Sequence, residues 1–375
     1  MEEFQKDKLA KIKCLLSIEG IGPAKIYNLI AKFKKLDFIF SSSVTDLIGV
    51  GKMNKVLANK IYQQTNKLEE FHKITDKEIA TLNNIGAAMY SFWDTQYPVL
   101  LKKIYTPPII LYQLGNIEKV DSNSVAIVGT RRATDYGKLQ TEKFAKELVE
   151  QQITIISGLA RGIDTYAQNA AIKYGGRTIA VIGSGLDVIY PAENKNLFQK
   201  IFKEKRGAII SEYPLGTKPD AVNFPKRNRI ISGLSLGVLV VETRINGGAM
   251  QTANYAIDQN RDVFAIPGNL QIPQSEGTNY LIRKNMAKLV QKSSDILEEL
   301  QLKIKPAVGK NIPVTTENLS LFEEKLLSFL SNEPVHIDLL SKKSNMSVSD
   351  CLINLLTLEF KGLVKQFPGK SFARI

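Results

Sequence analysis

The sequence is poor in the residues that build covalent or metal frameworks. Its two cysteines, Cys14 and Cys351, exclude a disulfide scaffold and a cysteine zinc cluster. Its two histidines, His72 and His336, stand far apart with no neighbouring ligand residues, which argues against a histidine metal site or a Ser-His-Asp triad. The single tryptophan, Trp93, is expected to anchor packing rather than stack on a base. No apolar run approaches the roughly 20 residues that a membrane helix needs. The stretch Met1-Glu-Glu-Phe-Gln-Lys6 lacks the charged-then-apolar layout of an export signal. These absences lead us to expect a reduced, cytoplasmic protein without membrane insertion and without a bound cofactor.

Basic charge is what the chain has in excess. The formal net charge of its 375 residues is +13, with a pI near 9.4. Such a balance favours a polyanionic partner, most simply nucleic acid, although a lysine-rich solvated surface would look the same. Apolar residues make up 44%, ample for a core, and the length suits about two or three domains.

The organisation changes along the chain. Residues 1–65 read as a small all-α domain of the helix-hairpin-helix or SAM-like kind. Gly20-Ile-Gly-Pro-Ala-Lys25 joins helical patterns at Ile12–Ile18 and Ile26–Phe33, and Ile48-Gly-Val-Gly-Lys52 precedes another at Val56–Gln64. Such glycine turns can meet a DNA phosphate or merely shape a protein-contact domain. Residues 66–122 read as a connecting region. Within it Ile79–Ile85 suits a helix or a strand, and Ile109–Tyr112 a short strand.

Strand and helix patterns alternate across 123–300. Short Val/Ile-rich runs at Val125–Val128, Ile153–Ile156, Ile179–Ile182, Ala208–Ile210, Val238–Val241 and Val263–Ile266 suit parallel strands covered on both faces. Helical patterns at Lys138–Gln151, Thr165–Tyr174, Asn194–Lys203 and Gly248–Asp258 fall between them. The expected fold class is therefore α/β, a doubly wound, Rossmann-like parallel sheet. Residues 301–316 read as a linker. Residues 317–375 carry three helical patterns (Leu319–Leu330, Ile337–Ser341, Val348–Phe360) and a two-stranded hairpin, the winged-helix order. The third helix has Asp350 and Glu359 and no arginine, so protein contact suits it better than the major groove.

Open parallel sheets bind ligands at the carboxyl ends of their strands. Here those ends collect glycine and arginine: Gly129-Thr-Arg-Arg132, Ser157-Gly-Leu-Ala-Arg-Gly-Ile-Asp164, Gly183-Ser-Gly185 and Asn246-Gly-Gly248. The segment Asn223-Phe-Pro-Lys-Arg-Asn-Arg-Ile230 adds three cations in four positions. Glycine loops supply backbone N–H groups and arginine supplies forked donors, a combination suited to phosphate. Phe224 and Tyr213 are candidates to stack bases of a single strand. Asp164, Glu212 and Glu242 can each serve as an arginine partner, and nothing in their spacing marks a general acid or base. The first turn, Gly129-Thr-Arg-Arg-Ala-Thr-Asp-Tyr-Gly137, is not Gly-x-Gly-x-x-Gly, and no Gly-x-x-x-x-Gly-Lys-Ser/Thr occurs, which disfavours a dinucleotide cofactor and P-loop hydrolysis.

Val128-Gly-Thr-Arg131, the Ser157–Asp164 loop, Ile182-Gly-Ser-Gly-Leu-Asp-Val-Ile-Tyr-Pro191, Ser211-Glu212 and Phe224-Pro-Lys-Arg-Asn-Arg-Ile-Ile231 closely resemble the DNA-processing protein A family (DprA/Smf). Val240-Val-Glu242, Thr252-Ala253 and Pro267-Gly268 continue the match in the same order across about 110–300. The resemblance implies a non-enzymatic protein that binds and protects incoming single-stranded DNA in natural transformation and helps load the RecA recombinase. It also implies a homodimer formed through the α/β domain, with duplex DNA a weaker ligand. The positions it marks for DNA contact are Gly129, Arg131, Ser157, Gly158, Arg161, Gly162, Lys226, Arg227, Asn228 and Arg229, with Phe224 as the stacking residue. Departures occur at Gln168, where the family commonly has histidine, and at Gly247-Gly-Ala-Met250 and Asn285-Met286.

Two other readings stay open. Related α/β folds include phosphoribohydrolases that process nucleoside monophosphates; their Pro-Gly-Gly-x-Gly-Thr-x-x-Glu motif is not continued after Pro267-Gly-Asn269. A DNA-binding scaffold whose terminal domains only recruit partners is the third.

Overall fold

The computed structural model describes residues 3–302, 320–331, 333–360, 363–367 and 370–374. The chain divides into two compact units, Met1–Pro306 and Ala307–Ile375. The expected linker falls, from residue 303 on, outside the described residues, as do Gly362 and Pro368-Gly369 of the C-terminal hairpin. Among the described residues no helix is long and apolar enough to cross a membrane.

The first unit is built on a nine-stranded sheet. Its strands are β1 (Ala87–Ser91), β2 (Ile110–Gly115), β3 (Ser124–Val128), β4 (Thr154–Ser157), β5 (Thr178–Val181), β6 (Gly207–Ser211), β7 (Gly237–Val240), β8 (Asp262–Ala265) and β9 (Lys288–Leu289). The order is β1-β2-β6-β5-β4-β3-β7-β8-β9. Pairing is parallel from β6 through β9, whereas β1 pairs with β2 and β2 with β6 antiparallel.

Strand side chains alternate, so each strand feeds two cores. Val125 and Ile127 of β3 pack with Phe144, Leu148, Ile163 and Ala167 from the helices Asp135–Glu150 and Ile163–Lys173. Ala126 and Val128 pack on the opposite face with Ile230, Leu234, Met250 and Ala253 from the helices Asn223–Leu234 and Gly248–Asp258. The crossover after β3 leads to β4 on one side, and the crossover after β7 leads to β8 on the other. The loops following these adjacent strands therefore diverge and open a crevice, the switch point of an open α/β sheet.

One sequence expectation changes here. The 66–122 stretch is not a mere connection: it holds the helix Leu68–Asn84 and supplies β1 and β2. Its apolar residues Ile79, Leu82, Met89, Tyr112 and Leu114 share one core with Leu9, Ile12, Ile26, Leu29 and Ile61 of the N-terminal helices. The N-terminal helices thus pack on the sheet side of the unit through that stretch. The 223–230 segment, to which sequence reading assigned no element, is the start of the helix Asn223–Leu234, with Pro225 in the first turn, where its missing N–H costs little. Trp93 packs in a ring cluster with Tyr27 and Phe92, as expected of an anchor.

The second unit holds the helices Leu321–Ser328, Ile337–Ser344 and Val348–Phe360 and the strands Val364–Phe367 and Ser371–Arg374. A third short strand, Val335–His336, pairs with Ser371–Phe372. Its brevity left no alternation to read in the sequence. Leu326, Leu340, Leu355 and Phe372 form the core of this winged helix.

Candidate nucleic-acid interface

At the switch point lies a cleft of about 820 Å3. Four arginines line it: Arg131 and Arg132 from the loop after β3, Arg227 from the Asn223–Leu234 helix, and Arg244 from the loop after β7. Asp164 is the one carboxylate among the described lining residues, and it is buried. The cleft is therefore strongly positive and shaped for an anion.

Helical phase sets what each cation of the Asn223–Leu234 helix does. Arg227 lies on the same face as Ile230, Ile231 and Leu234, so it is carried inward to 3% exposure. Its Nη1 donates to the carbonyl of Val181 at the end of β5. Its Nε has no partner among the described residues. Burial pushes the guanidinium pKa down to about 10, partly offset by the charge of Asp164, so Arg227 remains a cation at neutral pH. Lys226 is exposed, while Asn228 lines the cleft and donates from Nδ2 to the Gly248 carbonyl at 3.3 Å. Arg229 points elsewhere: its Nη2 pairs with Glu212 at 2.5 Å, and it does not line the cleft. Burial raises the Glu212 carboxyl above its ordinary value despite that partner. Tyr213, the second stacking candidate, is also outside the cleft lining, with a buried hydroxyl.

The Ser157–Asp164 loop frames the cleft instead of offering its amides. Ser157 is fully buried and donates from Oγ to the Ile127 carbonyl at 2.7 Å, tying β4 to β3. The Asp164 carboxylate accepts from the N–H groups of Gly158 (3.1 Å) and Ala160 (3.4 Å), so the loop is filled by its own anion. Burial nevertheless raises the Asp164 pKa, with the Arg227 charge and these N–H groups opposing the rise. Leu159 has a positive φ of 54°, and its N–H donates to Oε1 of Gln168 at 3.1 Å. Gln168 therefore holds the loop through a neutral amide. Gly162 has φ 74°, and a Cβ there would strike the backbone of Thr130 and Arg131, so glycine lets the two loops cross. Gly129 is equally confined, against Ile163 and the Glu242 carbonyl.

Aromatic surface flanks the arginines. The Phe224 ring lies beneath Arg131, with the guanidinium carbon 5.4 Å from the ring centroid. Tyr190 sits against Phe224 with centroids 5.6 Å apart, and both line the cleft. Arg161 is exposed on the rim beside them and is paired with Glu193 at 2.7 Å.

Sequence reading missed Tyr190, Arg132 and Arg244 as contact candidates. Tyr190 and Arg132 stood inside quoted motifs, and their nearness to Phe224 and Arg131 was the missing signal. Arg244 follows the fifth strand of the alternating pattern, at a strand end where ligands gather. Glu242, buried behind the loop after β3, accepts from the N–H (3.0 Å) and hydroxyl of Thr134 and so holds the start of the Asp135–Glu150 helix.

Comparison with known proteins agrees with this architecture. Residues 88–301 match the family model of DNA recombination-mediator protein A, and residues 313–370 match the DprA winged helix domain. The chain is 35% identical over 391 residues to protein Smf of Synechocystis, covering 95% of this chain and 96% of that protein. It is 34% identical to the solved DNA processing protein A of Streptococcus pneumoniae, with a TM-score of 0.65 over 79% of this chain and 96% of that one. A Helicobacter pylori DNA processing protein A, solved to describe its single-stranded DNA binding mode, is 31% identical with a TM-score of 0.52, covering 57% of this chain and 95% of that one. With that match running from the sheet into the winged helix, this chain belongs to the DNA recombination-mediator protein A (DprA/Smf) family.

Proposed function

We propose that this protein binds single-stranded DNA across the switch-point cleft, protects it, and helps load the RecA recombinase during recombination or natural transformation, without catalysing a reaction. The observation that carries this reading is the four-arginine cleft with Phe224 and Tyr190 on its flank. Cations take the backbone phosphates, and the ring faces take unpaired bases in any order, which is how sequence-tolerant single-strand binding works. In this reading Arg131, Arg132, Arg227, Arg244, Lys226 and Asn228 meet phosphates or sugars, and Phe224 with Tyr190 meets bases. Arg161 joins them when Glu193 releases it. Ser157, Gly158, Gly162 and Gly129 shape the loops, and Arg229 braces the helix through Glu212.

The non-enzymatic role is supported by the use already made of the carboxylates. Asp164 is spent on its own loop and Glu242 on Thr134. The same reading takes the N-terminal helices and the winged helix as accessory to the sheet domain. It places the protein in the cytoplasm as a homodimer.

The test is fluorescence anisotropy of a labelled oligothymidylate against a duplex of equal length, across a salt series, for the wild type and Arg131→Ala. Tighter binding of the single strand, weakened by the substitution, is expected. Equal binding by both proteins at all salt concentrations would overturn the site. Recombinase loading is tested separately, by strand exchange on oligonucleotides precoated with a single-strand-binding protein. Release of free base from AMP, abolished by Glu242→Gln, would favour the enzyme instead.

A further inference from the structure

A second cavity, of about 540 Å3, lies beside the four-arginine cleft and takes no part in the reading above. It opens between the start of the Asp135–Glu150 helix and the loop that follows β8. Its size is that of a small-ligand pocket. The Tyr136 ring lines one side and is held there by its hydroxyl, which donates to the Pro267 carbonyl at 2.9 Å. Pro267 and Ile272 line the other. Tyr136 and Ile272 are 43% and 37% exposed, so the lining offers apolar surface to a ligand.

Glu242 is the one charged residue among the described lining residues, and it is 1% exposed. Thr134 uses each of its oxygens once, through its N–H at 3.0 Å and its hydroxyl. A carboxylate accepts about four hydrogen bonds, so each oxygen keeps a direction for a further donor. Burial and the nearby Glu242 charge raise the Tyr136 hydroxyl above its ordinary value. The pocket also shares its frame with the cleft. Arg132 lines the cleft and Thr134 the pocket, Arg244 the cleft and Glu242 the pocket, Gln274 the cleft and Ser275 the pocket. A phosphate held by Arg132 or Arg244 therefore has its base within a short step of the pocket.

We propose that this pocket receives one unpaired base of the bound strand, its ring between Tyr136 and Ile272 and its donor edge on Glu242, and that guanine fits it best. Bases taken out of a stack are read by apolar contact on their faces and hydrogen bonds on their Watson–Crick edge. Guanine alone among the four bases presents two adjacent N–H donors there, N1–H and the 2-amino group, the match for a carboxylate. Thymine flanks its N3–H with carbonyls, and adenine and cytosine set a bare ring nitrogen beside their amino group, so each turns a lone pair toward Glu242. The proposal rests on the single-strand reading above. It adds a preference at one position to binding that is otherwise tolerant of sequence.

The experiment uses the full chain and two labelled single strands of equal length, one alternating dT with dG and one alternating dT with deoxyinosine, in potassium-free buffer. Deoxyinosine keeps N1–H and lacks only the 2-amino group. Alternation sets a purine within one nucleotide of every phosphate, so the register of binding does not matter. The wild type should bind the dG strand about tenfold more tightly, the scale of one hydrogen bond to a charged group. Ile272→Trp places a larger side chain in the pocket without touching Glu242, and there the ratio should fall to about one. Glu242→Gln exchanges one acceptor oxygen for an amide donor and should also remove the preference.

Equal binding of the two strands by the wild type would overturn the proposal and leave the pocket to a side chain of a protein partner. A preference for dG that persists in Ile272→Trp would overturn it as well, because the base would then be read elsewhere. Failure of the wild type to bind either strand would instead overturn the single-strand reading. If the variants do not fold, the wild-type amide resonances of Ile272 and Ser275 decide. Larger shifts with the dG strand than with the deoxyinosine strand support the pocket, and equal shifts refute it.

Discussion

Arg227 and Asp164 converge on the same face of Gly158. A Cβ at that position would overlap the Arg227 guanidinium and lie within van der Waals overlap of the Asp164 carboxylate. The glycine is thus the space in which a buried cation and a buried anion face each other. Gly158→Ala is expected to destabilise the fold by about 1–3 kcal/mol, the range for overpacking a tight site. It should also weaken oligonucleotide binding, because Arg227 must move. Urea unfolding and anisotropy on the same sample check both effects.

Asp164 gives a pH prediction. Its folded-state pKa is raised above the ordinary 3.8 because burial disfavours the charged form. A raised pKa means that the native state holds the proton more tightly than the unfolded chain. The contribution to stability is present below the unfolded value and is lost as pH rises through the folded value. Asp164→Asn retains an oxygen for the N–H groups of Gly158 and Ala160 and removes the titration. The variant should show a flatter stability profile than the wild type above pH 3.8, measured by urea midpoints.

Arg131 and Arg229 are expected to separate binding from stability. Arg131 is exposed, so Arg131→Ala should change stability by no more than about 0.5 kcal/mol. It should still flatten the salt dependence of single-strand binding by about 0.7. Arg229→Ala leaves Glu212 without its partner in a largely buried place, which costs about 3 kcal/mol if the carboxyl stays charged. Its salt slope should match the wild type. Reversal of this pattern would put Arg229 in the interface.

Tyr190 is expected to act through its ring. Tyr190→Ala should lose about 1–3 kcal/mol of binding for the base it stacks, whereas Tyr190→Phe should bind like the wild type. A 2-aminopurine base in the oligonucleotide reports the stacking directly, through quenching that Tyr190→Ala removes.

Glu193 holds Arg161 at the rim in an exposed pair. Glu193→Gln frees a cation beside the aromatic flank and removes a negative charge. Oligonucleotide affinity should rise by about twofold to fivefold at low salt, the scale of a surface ion pair, and the gain should fade at high salt.

The parallel strands β3 to β8 were legible in the sequence, because each is a short apolar run covered on both faces, whereas β9, two exposed residues, left no such pattern. The sequence also determined which strand ends would carry glycine and arginine, and hence that the crevice would be positive. The place of β1 and β2 in the sheet was less legible, since β2 joins it through β6, which lies far away in the chain. Only the tertiary structure decided which groups remain available to a ligand. The Ser157–Asp164 loop has the composition of an anion site, yet Asp164 turns back onto its N–H groups. Arg227 and Arg229 stand two residues apart, about 200° around a helix, so burial on the sheet aims one at the cleft and the other at Glu212. Composition counts donors and acceptors, whereas the fold determines which of them are already joined to each other.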